Sequence, residues 1–174
     1  HFIEITAANI QEFLLDVNPD IIINAAGVTI RREKDSTINQ IKFTNSLLPN
    51  ILNSWSEKNN CRLIHLSTDC VFSGKKGNYK DDDITDAIDV YGKTKSLGEV
   101  SGTNTLTLRS SMIGFELYNK TELLEWVFKN RNNTINGFSN VIYSGITSLV
   151  MSEIIIKIIN DFPDLIGIYN ISSA

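Results

Sequence analysis

The strongest constraint on the fold is an alternation between short apolar runs and longer segments with helical periodicity. Residues 9–17 carry apolar side chains at the spacing of one helical face, and Ile21–Ile23 follow as a continuous apolar run. A longer helical pattern spans Ser36–Lys58, with Pro49 as an expected kink, and a second apolar run follows at Arg62–Leu66. Short apolar strands without internal alternation are typical of a parallel sheet covered on both faces. The sequence therefore predicts an α/β, doubly wound parallel sheet.

The alternation continues through the second half of the chain. Further helices are predicted from Val90 to Val100 and over Thr121–Lys129, and further strands over Thr105–Leu108, Val141–Tyr143 and Ile168–Ile171. The segment Ser148–Ile159 is apolar over most of its surface, so we expect a well-buried helix there.

Small or polar residues follow three of the predicted strands. The three stretches are Asn24-Ala25-Ala26-Gly27, Ser67-Thr68-Asp69 and Arg109-Ser110-Ser111. In an open parallel sheet ligands bind at the carboxyl ends of the strands, and small residues allow a ligand to approach the backbone closely. Each stretch alone could be an ordinary turn, but three along one sheet edge indicate a binding site.

Tyr91 and Lys95 are the residues that most clearly indicate acid–base chemistry. They are four residues apart on a predicted helix and therefore share a face. A nearby ammonium group favours the phenolate form of a tyrosine, and such a tyrosine can exchange a proton with a carbonyl oxygen. The Tyr-x-x-x-Lys spacing is common on solvated helices. It indicates a catalytic site here only in combination with Thr68 and the other polar strand ends.

Together these stretches resemble the extended, nucleotide-sugar branch of the short-chain dehydrogenase/reductase superfamily, and most closely its dTDP-4-dehydrorhamnose reductase group. The resemblance lies in Pro19–Gly27, His65–Gly74, Val90–Glu99 and Leu108–Ser111. It implies a Rossmann-type sheet, with residues 1–113 as a partial NAD(P)-binding domain. Residues 114–174 would be part of a small substrate-binding lobe, with the helix at 148–159 packing back on the sheet.

The resemblance also implies a role for each matching residue. Thr68, Tyr91, Lys95 and Asn45 match the catalytic set, with Asn45 in a proton relay. The cofactor, NADPH or NADH, would lie along Asn24, Ala25, Ala26, Gly27, Ser67, Tyr91, Lys95, Ser110 and Ser111. Asn45 could equally be an ordinary residue of a helix surface.

Cys70 discriminates between branches of this superfamily. Related sugar-nucleotide dehydratases carry a glutamate after the Thr-Asp pair, whereas this chain has Thr68-Asp69-Cys70. Ketone reduction is therefore favoured over dehydration. The expected reaction is reduction of the 4-keto group of a nucleotide-linked 6-deoxyhexose in polysaccharide or O-antigen precursor synthesis. The substrate would be of the dTDP-4-dehydrorhamnose or the UDP-2-acetamido-2,6-dideoxy-4-keto-hexose type. An epimerase, or a regulatory binding subunit of the same fold, stays open.

Composition excludes several other classes. The net charge is −4, which disfavours binding to nucleic acid through phosphate groups. Apolar runs are too short to span a bilayer, and two cysteines without ligand spacing indicate neither a disulfide framework nor a metal site. We expect a cytoplasmic protein whose partner is a nucleotide sugar, with a homodimer left open.

The glycine-rich dinucleotide fingerprint does not occur in the sequence, and it normally follows the first strand of such a sheet. We therefore expect the 174 residues to be the middle of a longer enzyme whose sheet begins upstream.

Overall fold

The computed structural model describes residues 5–29, 36–118 and 120–173. Four strands form one fully parallel sheet in the order β1-β2-β3-β6. The strands are β1 (Ile21–Asn24), β2 (Arg62–Ser67), β3 (Thr105–Arg109) and β6 (Gly167–Asn170). Because the sheet is parallel, the carboxyl ends of all four strands lie at one edge.

The two central strands are buried along almost their whole length. Every residue of β3 is buried, and in β2 only Arg62 is partly exposed. On one face Leu63 joins a core cluster with residues of helices α1 (Ile10–Val17) and α3 (Leu48–Asn59). Burial of consecutive residues is the pattern of a parallel sheet that is covered on both sides, as the sequence predicts.

The long helix between β1 and β2 contains one turn of π-helix. It consists of α2 (Ile38–Lys42), a π turn (Phe43–Leu47) and α3. A proline in an α-helix clashes with the carbonyl four residues earlier and cannot donate a hydrogen bond to it. For Pro49 that carbonyl belongs to Asn45, and Asn45 lies within the wider π turn. The predicted interruption at Pro49 is therefore this π turn.

Helix α4 (Val90–Leu97) follows β2 after a short 3₁₀ turn (Asp69–Val71) and an extended loop. The Asp89 side chain caps its first turn by accepting a hydrogen bond from the Gly92 N–H at 2.8 Å. A Cβ atom at Gly92 would lie 2.2 Å from the Cys70 carbonyl oxygen, so only glycine allows α4 to lie this close to the 3₁₀ turn.

The chain divides into two units, which we describe separately. The first runs to Arg109 and includes Asp164–Asn170, and the second begins at Ser110. The second unit contains a two-stranded parallel sheet of β4 (Met112–Ile113) and β5 (Ile146–Thr147), and helices α5 (Leu123–Lys129) and α6 (Ser148–Asp161). The predicted domain boundaries, and the predicted packing of the 148–159 helix, stay predictions.

Two predictions for the second unit are wrong. Val141–Tyr143 is not a strand: Ile142 is 95% exposed, and strand propensity without a pairing partner does not produce a strand here. Helix α6 is not buried over most of its surface, because only Met151, Ile155 and Ile158 are buried. These three residues lie on one face, and Leu149 and Ile156 are exposed.

Candidate functional site

The site lies at the carboxyl edge of the parallel sheet, where Asn24 ends β1 and Ser67 and Thr68 follow one another at the end of β2. The side chain of Asn24 is buried, and its Oδ1 accepts a hydrogen bond from the Ala26 N–H at 3.2 Å. Asn24 thus shapes the start of the loop, in which Ala25, Ala26 and Gly27 are exposed. Gly27 is not sterically required, since a Cβ there would lie 3.8 Å from its nearest neighbour.

His65 supports Asn24 from the neighbouring strand. Its Nδ1 accepts a hydrogen bond from Asn24 Nδ2 at 3.0 Å, which places the ring proton of the neutral form on Nε2. Burial and the nearby positive charge of Lys95 lower the pKa of His65 from 6.5 to about 3. The imidazole is therefore neutral at physiological pH and acts here as a hydrogen-bond acceptor.

Lys95 is anchored directly to the strand that carries Thr68. Its side chain is buried, and Nζ donates a hydrogen bond to the Leu66 carbonyl oxygen at 2.7 Å. Burial lowers the pKa of Lys95 from 10.5 to about 8, while the negative charge of Glu99 acts in the opposite direction. An ammonium group has three N–H donors, so two remain beyond the bond to Leu66. Tyr91, one turn earlier on α4, is partly exposed.

Thr68 is buried at the end of β2 and caps the 3₁₀ turn. Its Oγ1 accepts a hydrogen bond from the Cys70 N–H at 3.2 Å and lies 3.4 Å from Asp69 Oδ1. The hydroxyl hydrogen is donated to Asp69 Oδ1 in this long bond, and rotation of the hydroxyl would redirect it to a ligand. Burial raises the pKa of the Cys70 thiol, which therefore lacks the properties of an activated nucleophile.

Asn45 lies in the π turn and is fully buried. Its Oδ1 accepts from the Val28 N–H at 2.8 Å, and its Nδ2 donates to the Val28 carbonyl and to Thr94 Oγ1, both at 3.1 Å. The side chain thus connects the loop after β1 to helix α4. Its predicted part in a proton relay stays a prediction.

The structure brings Asn24, Ser67, Thr68 and Lys95 to one sheet edge, and Asn45 connects it to α4. Ser110 and Ser111 directly follow β3 in the chain, but they belong to the second unit. Within it, Ser110 Oγ donates to the Ser111 carbonyl at 3.1 Å.

Sequence reasoning missed an ion pair at the same edge. Glu99 and Arg109 form a bidentate pair, and Ser67 Oγ also donates to Glu99 Oε1 at 2.8 Å. Arg109 Nη1 donates to the Asp81 carbonyl oxygen at 3.0 Å, and Asp81 Oδ1 accepts from the Asn170 N–H. The sequence feature that could have indicated this ion pair is Glu99, a glutamate four residues after Lys95.

Two other classes of site are absent from the described ranges. No group of three or more His, Cys, Asp or Glu side chains there could hold a metal ion. None of the helices in those ranges is both long and apolar enough to cross a membrane.

The fully parallel sheet and the polar groups gathered at its carboxyl edge define a Rossmann-like α/β protein. The family model described as the RmlD substrate binding domain matches residues 4–116. The chain belongs to this family, and the resemblance and fold class predicted from the sequence are confirmed.

Individual relatives agree with this assignment. A dTDP-4-dehydrorhamnose reductase of Aggregatibacter actinomycetemcomitans is 30% identical over 162 residues, which are 87% of this chain and 55% of that protein. The spore coat polysaccharide biosynthesis protein SpsK of Bacillus subtilis is 26% identical, over 90% of this chain and 56% of its own length. The chain thus spans about half the length of the curated relatives it matches.

Solved structures show the same fold. A hypothetical dTDP-4-dehydrorhamnose reductase from Sulfolobus tokodaii has a TM-score of 0.82 and 26% identity, covering 96% of this chain and 60% of that one. The dTDP-4-dehydrorhamnose reductase of Bacillus anthracis, solved in complex with NADP, has a TM-score of 0.81 at 22% identity, covering 97% of this chain and 61% of that chain.

Proposed function

We propose that the protein is an NAD(P)H-dependent reductase of the 4-keto group of a nucleotide-linked 6-deoxyhexose. The observation that carries the proposal is the hydrogen bond from Lys95 Nζ to the Leu66 carbonyl. This bond fixes the helix of Tyr91 and Lys95 against β2, the strand that Thr68 directly follows. The names of the relatives support this reaction and a role in making polysaccharide precursors.

The donor set at the sheet edge fits a nicotinamide dinucleotide. The two further N–H donors of Lys95 would bind the nicotinamide ribose hydroxyls, and the exposed backbone at Ala25, Ala26 and Gly27 would lie along the cofactor. Ser67 would complete the contacts of the first unit, and the cofactor contacts of Ser110 and Ser111 stay predictions from the sequence. When bound, NADPH or NADH would supply the hydride for ketone reduction.

The protein's own residues would handle the proton. Thr68 would donate a hydrogen bond to the substrate carbonyl oxygen, and Tyr91 would donate its phenolic proton to the same oxygen. The positive charge of Lys95, four residues further along α4, favours the phenolate that Tyr91 becomes. Asn45 would hold the loop after β1 in place and take part in returning a proton to Tyr91.

The substrate is proposed as a 4-keto sugar linked to dTDP or UDP. The dTDP-linked type follows the names of the relatives. The UDP-linked 2-acetamido type stands beside it, because Cys70 and Met112 depart from the aromatic residues that the resemblance to the rhamnose group implies at these positions. Assays of the intact protein with each sugar, following oxidation of NADPH or NADH, distinguish these substrates. No cofactor oxidation with either sugar would contradict the proposal, and tightly retained oxidised cofactor would favour an epimerase.

Tyr91→Phe tests the proton donor. We expect kcat to fall by roughly 10²- to 10⁴-fold, the usual contribution of a general acid, because the hydroxyl is lost while the ring is kept. Cofactor affinity, measured by fluorescence titration, should change little. Tyr169→Phe, on β6, is the matched control and should retain wild-type turnover. A Tyr91→Phe variant with more than about a tenth of wild-type kcat would rule out this role.

A further inference from the structure

Two side chains, Lys95 on α4 and Glu99 just after its last residue, hold α4 on the end of β2. Lys95 Nζ donates to the Leu66 carbonyl at 2.7 Å, and Glu99 Oε1 accepts from Ser67 Oγ at 2.8 Å. Leu66 and Ser67 are consecutive and immediately precede Thr68. The position of α4 along β2 is therefore fixed directly beside the residue proposed to bind the substrate carbonyl.

Glu99 itself is held in one orientation. Arg109 Nε donates to its Oε1 at 2.7 Å and Arg109 Nη2 donates to its Oε2 at 2.8 Å. The two side chains are only 6% and 5% exposed. A buried bidentate pair fixes the plane of the carboxylate, because both oxygens are engaged at once. Such a pair adds little net stability compared with apolar residues, so its presence at the sheet edge points to a positioning role.

The charges around Lys95 make Glu99 its counter-ion. Burial disfavours the charged ammonium, and the carboxylate of Glu99 is the group that opposes this effect. On β2 the group coupled to Lys95 is His65, which is neutral, and Arg109 on β3 is the ion-pair partner of Glu99. Without Glu99, the buried ammonium would lose the negative charge that favours its charged form.

We propose that Glu99 is a positioning residue of the site, which maintains the charge of the Lys95 ammonium group and fixes α4 in register with Thr68. It acts through Lys95 and Ser67 and does not contact the substrate. The inference rests on the proposed function only for its effect on turnover, since the charge of Lys95 can be measured without any substrate.

The test is Glu99→Gln in the intact protein, compared with Glu99→Asp. Gln keeps the length and removes the charge, whereas Asp keeps the charge. NMR of the intact protein with isotope-labelled lysine, assigned with Lys95→Arg, reports the titration of Lys95 directly. We expect its midpoint to fall by about one pH unit in Glu99→Gln and to stay near the wild-type value in Glu99→Asp.

Turnover gives the second readout. At about pH 8, near the wild-type midpoint of Lys95, kcat of Glu99→Gln should be several-fold below wild type. At about pH 6 it should recover to within roughly three-fold, because Lys95 is then charged in both proteins. A merely structural role would lower kcat equally at both pH values. Asp83→Asn removes the exposed Lys76–Asp83 pair and should leave the titration of Lys95 unchanged.

The outcomes separate the two proposals. An unchanged Lys95 midpoint in Glu99→Gln overturns the inference about Glu99, whatever the activity. A wild-type protein that reduces no 4-keto sugar overturns the proposed function, while the NMR titration still tests Glu99. If Glu99→Gln shows no cooperative melt, Glu99→Gln/Arg109→Met removes both buried charges, and the midpoint should again fall.

Discussion

His65 should make the stability of the protein sensitive to mild acid. The ring is fully buried, and its pKa is about 3 in the folded protein compared with 6.5 for an exposed histidine. Between these values the unfolded chain binds a proton that the folded protein does not bind. The free energy of unfolding therefore falls as the pH decreases below about 6.5, by up to about 1.4 kcal/mol per pH unit.

The expected loss can be estimated over a range in which few other groups change charge. Between about pH 7.5 and pH 5, the protonation of His65 in the unfolded state should reduce the free energy of unfolding by about 2 kcal/mol. The depressed carboxyl pKa values of Asp83 and Asp86 act below this range. The lowered pKa of Lys95 acts above it, since Lys95 titrates at about 8 when folded and 10.5 when unfolded.

Urea denaturation at several pH values measures this effect, and His65→Gln is the control. A glutamine can accept the hydrogen bond from Asn24 but does not titrate, so the variant should lack the loss of about 2 kcal/mol. If wild type and His65→Gln lose the same free energy of unfolding between about pH 7.5 and pH 5, the assignment of a neutral buried His65 is wrong.

Two further predictions concern the helices that hold the site. Gly98→Ala should lower the free energy of unfolding by about 1–3 kcal/mol, because the new Cβ would lie 1.9 Å from the Asn45 carbonyl oxygen. Gly27→Ala, with its nearest neighbour at 3.8 Å, is the control, and equal losses in both would contradict the steric argument. Thr37→Ala should cost about 1 kcal/mol in the same assay, since Thr37 forms a capping box with Gln40. An unchanged midpoint would mean that α2 does not depend on its cap.

The parts of the fold that sequence predicts well are those set by local pattern. β1, β2 and β3 lie within one residue of their predicted ends, because continuous apolar runs between polar turns have few alternatives in an α/β chain. Val141–Tyr143 has the same local character, yet a strand also requires a neighbouring strand to pair with. Three residues of sequence do not show whether such a neighbour exists. The one-sided burial of α6 likewise depends on what packs against it.

The hydrogen-bonded network around the Glu99–Arg109 ion pair could not be predicted from local sequence patterns, for a related reason. Its members are separated by 10 residues between Arg109 and Glu99, by 28 between Arg109 and Asp81, and by 89 between Asn170 and Asp81. The run Asp81-Asp82-Asp83 has the composition of a solvated loop. Only the folded sheet shows that Asp81 joins Arg109 to the end of β6, and that Asp83 pairs with Lys76.

The surroundings of Asn45 are explained only when the sequence and the structure are considered together. Its side-chain amide hydrogen-bonds both Val28 and Thr94. Its backbone carbonyl is a separate acceptor, which Pro49 cannot engage in an α-helical hydrogen bond because it has no N–H. The absence of a side chain at Gly98 lets the end of α4 lie against this same carbonyl. Pro49 thus removes the α-helical partner of one backbone oxygen of the predicted catalytic set, and Gly98 allows α4 to pack against that oxygen.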